Sequence, residues 1–292
     1  MGLTPLLICK GTDAAGPWPA DAVDSLEQGN LLHFPELRFD LLPAERRFVA
    51  DGVAVATGKN ISLDPGASLP AGLSAGDPNG PAIAAMMVRF SDFSRSLALA
   101  IAPGYEPGLA TGRTSFRPVE IAWRPVGDWR ADDTRLHIDA FPATPVAGKR
   151  LLRVFANVDP QQHPRVWRVG GSFETLASRY LPRIAQPSAL HATWLQLRRR
   201  TAGRRTAYDH YMLHLHDMAK ADRAFQTGSV QREISFGPSV WVVFSDQVPH
   251  AAMSGCNALE TTFYLKPSAQ RRPELSPLKV LERLTGRRLA PS

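Results

Sequence analysis

The sequence predicts a mainly β fold with helical additions, and three observations carry that prediction. The 25 Pro and 22 Gly are scattered among 292 residues, and both types interrupt helix interiors. Short alternating runs rich in β-branched and aromatic residues recur between residues 112 and 158 and again between 239 and 265. A content of 44% hydrophobic and 21% charged residues is that of a globular chain, which excludes disordered and fibrous classes.

Residues 1–60 alternate short apolar runs with turn residues. LLHFPELRF reads as extended chain around Pro35, and DLLPAERRFVAD as a short helix opened by Asp40 or Pro43. The turn-dense stretch 60–82 leads into AIAAMMVRFSDFSRSLALAIAP, which fits a helix of about 20 residues. FRPVEIAW, RLHIDAF and RLLRVFANV then read as consecutive strands, the last with Arg153, Phe155 and Asn157 on one side. Between 174 and 226 apolar residues fall at three- and four-residue spacing, giving a helical insertion that carries Arg198, Arg199, Arg200, Arg204 and Arg205. SVWVVFS, HAAMS and ALETTFYL return to strands. SPLKVLERLTG is a closing helix over 276–286, capped by Ser276, with Pro277 in its first turn and Gly286 at its end. The expected organisation is an acidic segment, 1–110, packing on a core formed by 111–292.

Charge supports that division. The formal total is +7, from 34 basic and 27 acidic residues, and 28 of the basic residues are Arg. Residues 1–110 hold 7 basic and 12 acidic side chains, so the remainder carries 27 against 15, a net of +12. An anion site is therefore expected beyond residue 110. A purely basic binding module is a competing reading, but the arginines are interspersed with Asp and Pro, which disfavours a nucleic-acid face. Cys9 and Cys256 are the only cysteines, so no disulfide framework or Cys-based zinc site is expected, and a reducing cytoplasm fits. The opening MGLTPLLICKG has an apolar run too short for a membrane span.

The chemistry-bearing pattern is His137-x-Asp139, with His250 in a later strand. In a strand, residues i and i+2 share a face, so an imidazole and a carboxylate stand side by side. A second His from a facing strand makes the 2-His-1-carboxylate set of non-haem Fe(II) oxygenases. At this composition chance gives about 0.5 His-x-Asp per chain, so its context decides. Arg153, sixteen residues after His137, suits a bidentate carboxylate clamp. His210, His214 and His216 have helical spacing but belong to a packed helix face, and His33, His163 and His191 stand alone. Asp246, Gln247 and His250 gather polar groups beyond an apolar strand, a concentration that marks sites. No G-x-S-x-G, G-x-G-x-x-G or P-loop occurs.

TSFRPVEI, DDTRLHIDAFPATP, LRVFANV with RVWRVG, YDHYMLHLHDMAKAD, and FSDQVPHAAMSG with LETTF together resemble the Kdo hydroxylases over about 112–287. These enzymes are Fe(II)- and 2-oxoglutarate-dependent dioxygenases acting on 3-deoxy-D-manno-oct-2-ulosonic acid (Kdo). The resemblance implies a double-stranded β-helix (jelly-roll or cupin-like) core with iron on His137, Asp139 and His250. It implies 2-oxoglutarate and dioxygen as cosubstrates, with Arg153 and Arg117 at the cosubstrate. The acceptor implied is the terminal Kdo of Kdo-lipid A, hydroxylated at C3 with succinate and CO₂ as co-products, met at the cytoplasmic face of the inner membrane. Arg113, Arg124, Arg165 and Arg168 are the candidates for its carboxylate and phosphates, and the 198–205 cluster for peripheral contact with anionic headgroups. Another sugar acid or small molecule is the alternative acceptor.

Overall fold

The computed structural model describes residues 6–50, 60–124, 127–228 and 231–291, apart from the side chains of Ala189 and His191. Seven strands form one sheet: β1 (Leu6–Ile8), β2 (Leu31–Phe34), β8 (Val240–Phe244), β5 (Arg150–Asn157), β10 (Ala258–Leu265), β4 (Leu109–Arg117) and β3 (Ile61–Leu63), in that spatial order. Three form a second sheet in the order β7 (Arg232–Phe236), β6 (Arg165–Val169) and β9 (His250–Ser254). Every pairing is antiparallel except β1 with β2. The result is a mainly β jelly-roll.

Alternation explains how the layers pack. On β5, Leu152, Val154 and Ala156 face outward, where they join Val242, Phe244, Leu259 and Phe263 beneath α2 (Gly80–Ile101). α2 presents Ile83, Met86, Met87, Phe90 and Leu97 to them, at helical spacing. The opposite register of β5 faces the second sheet. Phe155 and Trp241 stack at 5.2 Å and meet Trp167, Val169, Ile234 and Phe236 from β6 and β7. Arg153 shares the Phe155 face, so it points into the space between the sheets.

The chain between β6 and β7 is helical: α3 (Phe173–Tyr180), α4 (Ala189–Leu197), α5 (Ala207–Ala221) and α6 (Arg223–Gly228). α5 begins with a capping box between Thr206 and Asp209. Together with α7 (Pro277–Thr285), α3 and α5 cover Leu136 and Ile138 from outside. α7 is capped by the Ser276 hydroxyl, which accepts from Lys279 N, and stops at Gly286 with φ of 65°.

Several expectations need correction. Residues 1–110 do not merely pack on the core: β1, β2 and β3 complete the large sheet, and α1 (Ala22–Glu27) and α2 cover its outer side. FRPVEIAW is not one strand, because Pro118 offers no N–H to the ladder and 121–123 turns into a 3-10 helix. RLHIDAF forms a single bridge, between His137 and His250, rather than a strand. The helix expected near Asp40 is only the 3-10 turn Arg46–Phe48. Asp246 and Gln247 are structural. Arg150, fully buried, donates from Nε to Asp246 at 2.8 Å and from Nη2 to Gln247 Oε1 at 2.6 Å. Gln247 in turn donates to the Glu27 carbonyl, tying α1 to the sheet.

Removing one partner of that pair strands a buried charge. Asp246→Ala is expected to cost about 3–5 kcal/mol of stability in urea unfolding, and the double variant Arg150→Met/Asp246→Leu is expected to regain most of it. A single variant as stable as the parent protein contradicts this.

Candidate metal centre

His137 and His250 face each other across a reciprocal backbone pair. His137 N donates to His250 O at 3.0 Å, and His250 N donates to His137 O at 2.8 Å. Such a pair sets both side chains on the same side. Asp139, two residues on, keeps that side and is fixed by its own N–H on Ser245 O at 2.8 Å. The other edge of the segment is held by a side chain, since Gln226 of α6 both accepts from Leu136 N and donates to Leu136 O. That explains why 135–139 is strand-like without a second strand neighbour.

Each imidazole is oriented through Nδ1, whose proton is donated to a backbone carbonyl: Arg135 O at 2.6 Å for His137 and Val248 O at 2.8 Å for His250. This tautomer leaves both Nε2 atoms bare, and they lie 3.8 and 3.9 Å from the Asp139 carboxylate oxygens. Asp139 Oδ2 is buried and accepts no hydrogen bond. Ligand atoms of the three residues lie within 4.8 Å of one another, the sole such group among the described residues. Burial, then the nearby His250 and Lys220 charges, pushes His137 well below the ordinary imidazole range, and burial lowers His250 too. Burial alone would raise the Asp139 carboxyl, but Arg153 and the two imidazoles hold it well below the usual carboxylate range. Two neutral imidazoles and one ionised carboxylate are the protonation states a divalent metal requires. The donor set, all nitrogen and oxygen on one side, suits non-haem iron.

Three arginines line the same cavity, from three strands: Arg117 of β4, Arg153 of β5 and Arg165 of β6. Arg153 Nη1 lies 3.1 Å from Asp139 Oδ2 and 3.3 Å from Glu260 Oε1, so it touches a carboxylate of the candidate metal group. Arg117 Nε donates to the other oxygen of Glu260 at 2.8 Å. Buried Glu260 thus bridges two guanidinium groups, which keep it ionised against the opposing effect of burial. Arg165 differs. It is 2% exposed, its Nη1 donates to Gly255 O at 3.1 Å, its Nε has no acceptor, and no carboxylate pairs with it among the described residues. Burial and the charges of Arg117 and Arg124 push its pKa down to about 9.

The other expected residues lie elsewhere. Arg113 is exposed and paired with Asp64 at 2.8 Å. Arg124 is held by Asp133 at 3.1 Å and by Val119 O, outside the cavity lining. Arg168 points away, since alternation on β6 sends Arg165 and Trp167 inward, and it donates to Thr134 O and Gln226 instead. The helical histidines do not form a metal group: His210 contacts Ala185 O, and His216 Nδ1 lies 2.9 Å from Asp217. The side chain of His191 lies outside the described residues. Sequence reasoning missed three neighbours of the triad. Trp167 stacks on His250 at 5.0 Å, His216 meets His137 edge-on at 5.3 Å, and Glu260 joins two arginines. RVWRV does carry a signal for Trp167, the period-2 alternation of a strand.

The jelly-roll and the facial 2-His-1-carboxylate group define the class of non-haem iron oxygenases. Comparison with known proteins gives the family. The family model described as 3-deoxy-D-manno-oct-2-ulosonic acid (Kdo) hydroxylase matches residues 14–288, and the chain belongs to that family. Solved structures of the Kdo hydroxylase KdoO, described as a non-haem Fe(II) α-ketoglutarate-dependent dioxygenase, are similar throughout. The cobalt(II) complex is 39% identical with a TM-score of 0.93, covering 99% of this chain and 98% of that one. The complex with α-ketoglutarate and Fe(III) is 38% identical with a TM-score of 0.92, covering 98% and 97%. The complex with succinate and Fe(III) is likewise 38% identical at 0.92, covering 99% and 98%. Among curated proteins no match is found.

Cobalt(II) titration followed by calorimetry checks the metal group. His137→Ala, Asp139→Ala and His250→Ala are each expected to weaken binding by more than about a hundredfold, since outer-layer changes alone reach that figure. Glu260→Gln is expected to retain cobalt affinity within about tenfold, because it touches the arginines and no ligand.

Proposed function

We propose that this chain is an Fe(II)/2-oxoglutarate-dependent dioxygenase that hydroxylates C3 of the terminal Kdo of Kdo-lipid A, releasing succinate and CO₂. Family membership supports the reaction class. The observation that carries the site assignment is a neutral, pre-oriented His137/His250 pair beside ionised Asp139, with a buried guanidinium lacking a counter-ion in the same cavity.

His137 Nε2, His250 Nε2 and an Asp139 oxygen would hold the metal. When bound, iron supplies the redox chemistry that splits dioxygen, one atom going to succinate and the other to the acceptor. The Arg153 charge, 3.1 Å from Asp139 Oδ2, would keep that carboxylate ionised beside the two Nε2 atoms. The distal carboxylate of 2-oxoglutarate fits among Arg117, Arg153 and Arg165. Arg153 was the expected clamp, but it and Arg117 already share Glu260, whereas Arg165 gains its first anionic partner when the cosubstrate enters. Trp167 covers one face of the His250 ring with an apolar plate, which excludes water from that imidazole.

No proton need pass through a charged side chain for hydrogen to leave an unactivated methylene, so positioning and dryness are the protein's contributions. Kdo has such a carbon at C3, beside its anomeric centre. Among the described residues no helix is long and apolar enough to cross a membrane, so a lipid-linked acceptor would be met at a bilayer surface. Another sugar acid is the second reading for the acceptor.

The test is purified protein incubated with Fe(II), 2-oxoglutarate and Kdo-lipid A. Succinate is expected in equal amount to a product heavier by one oxygen atom located on Kdo. Unchanged Kdo-lipid A alongside consumed 2-oxoglutarate would assign the acceptor elsewhere. Arg165→Gln is expected to raise KM for 2-oxoglutarate by about 10–100-fold, the loss of one charge-assisted bond, with a smaller change in kcat. An unchanged KM removes Arg165 from the cosubstrate site.

A further inference from the structure

The segment 184–208 contains five arginines and no acidic residue. Within it lies α4, ALHATWLQL, which has no charged side chain at all. Leu190, Trp194 and Leu197 stand at i, i+4 and i+7, so they share one face of the helix. That face is open: Leu190 is 85% exposed, Trp194 50% and Leu197 78%. Other large apolar side chains at the surface are dispersed over the chain, which is ordinary, whereas three on nine residues make a patch.

The opposite side of α4 is anchored. Ala192 is buried, and the turn that follows is fixed by Arg200 N on Leu195 O and by Ala202 N on Ala143 O. Thr201 is buried there. Cations therefore rim the apolar face from a held backbone. Arg198 lies over the Trp194 ring at 5.6 Å, and Arg198, Arg199, Arg200 and Arg204 are exposed with no ion pair among the described residues.

We infer that this face of α4 docks on an anionic bilayer surface, with Leu190, Trp194 and Leu197 in the interfacial layer and the following arginines on lipid phosphates. Apolar anchors that include Trp, bordered by Arg, are what an interfacial helix needs. A second copy of this chain is a poor occupant, because a two-fold contact would set one arginine run against the other. The inference deepens the proposed function by naming the surface that meets a lipid-linked acceptor, but docking itself needs neither iron nor cosubstrate. α5 starts ten residues after α4 ends and carries His216 nine residues into its length, so about 14 Å of helix axis separates its first turn from the metal centre.

Sedimentation with phosphatidylglycerol-containing vesicles, against pure phosphatidylcholine, tests this on the full chain. Binding is expected to the anionic vesicles, at least about tenfold weaker to the neutral ones, and screened by salt. Leu190→Ser/Leu197→Ser and Arg198→Gln/Arg199→Gln/Arg200→Gln are each expected to lower binding about tenfold or more with unchanged thermal unfolding, because the substituted side chains are exposed. Anionic binding that survives both variants, equal binding to neutral vesicles, or a dimer that the variants dissociate overturns the inference. Cobalt(II) affinity and acceptor-independent 2-oxoglutarate turnover are expected to be unchanged in both variants. Loss of those activities in the parent protein would count against the proposed function and leave the vesicle result standing separately.

Discussion

The reciprocal pair of backbone hydrogen bonds between His137 and His250 is the constraint on which the site depends. It joins a five-residue segment to β9 and sets two imidazoles on the same side at adjacent positions. Everything around it maintains that pairing. Gln226 occupies the segment's free edge, Leu136 and Ile138 anchor it in the helical layer, and Arg135 O and Val248 O fix each ring by its Nδ1 proton. The helices between β6 and β7 are thus more than an insertion. α5 and α6 supply the packing and the Gln226 clamp that a two-stranded contact of this length could not provide for itself.

Charge inside the cavity is arranged to be incomplete. Arg117 and Arg153 share the Glu260 carboxylate, and Arg153 also meets Asp139, so the two cations are balanced within the chain. Arg165 is not, although burying a guanidinium without a carboxylate costs stability. A polar group kept in that state is what a site built for an anionic cosubstrate requires: the dicarboxylate completes the charge balance on entry. On the proposed reading, the net of +12 beyond residue 110 would serve two anionic partners, one inside the barrel and one on the surface around α4.

Much of this was legible in the sequence. The candidate metal group is readable from the i, i+2 alternation of His137 and Asp139 together with a His in a later strand, and the structure brings the three side chains together. The alternation of RLLRVFANV puts Arg153 and Phe155 on one side of a strand, and the structure turns that side toward the cavity. The contribution of 1–110 was not legible, because β1 and β3 are three residues each and the segment joins the sheet through β2, which pairs with β8 far along the chain. Asp246 and Gln247 were misread as a site, as a polar cluster beyond an apolar strand also forms when a buried arginine such as Arg150 must be paired. Arg168 and Arg165 are three residues apart, yet on β6 one points out and the other in. RVWRV contained that information, while composition alone did not. Glu260 and Gln226 act through tertiary contacts that no local pattern announces.

The most direct test of the account is a crystal structure obtained anaerobically with Fe(II) and 2-oxoglutarate. It predicts metal on His137 Nε2, His250 Nε2 and Asp139, 2-oxoglutarate in the same cavity, and its distal carboxylate bonded to the guanidinium of Arg165 within the Arg117/Arg153 wall. Metal bound away from those three residues, or a distal carboxylate that leaves Arg165 without an anion, would contradict it.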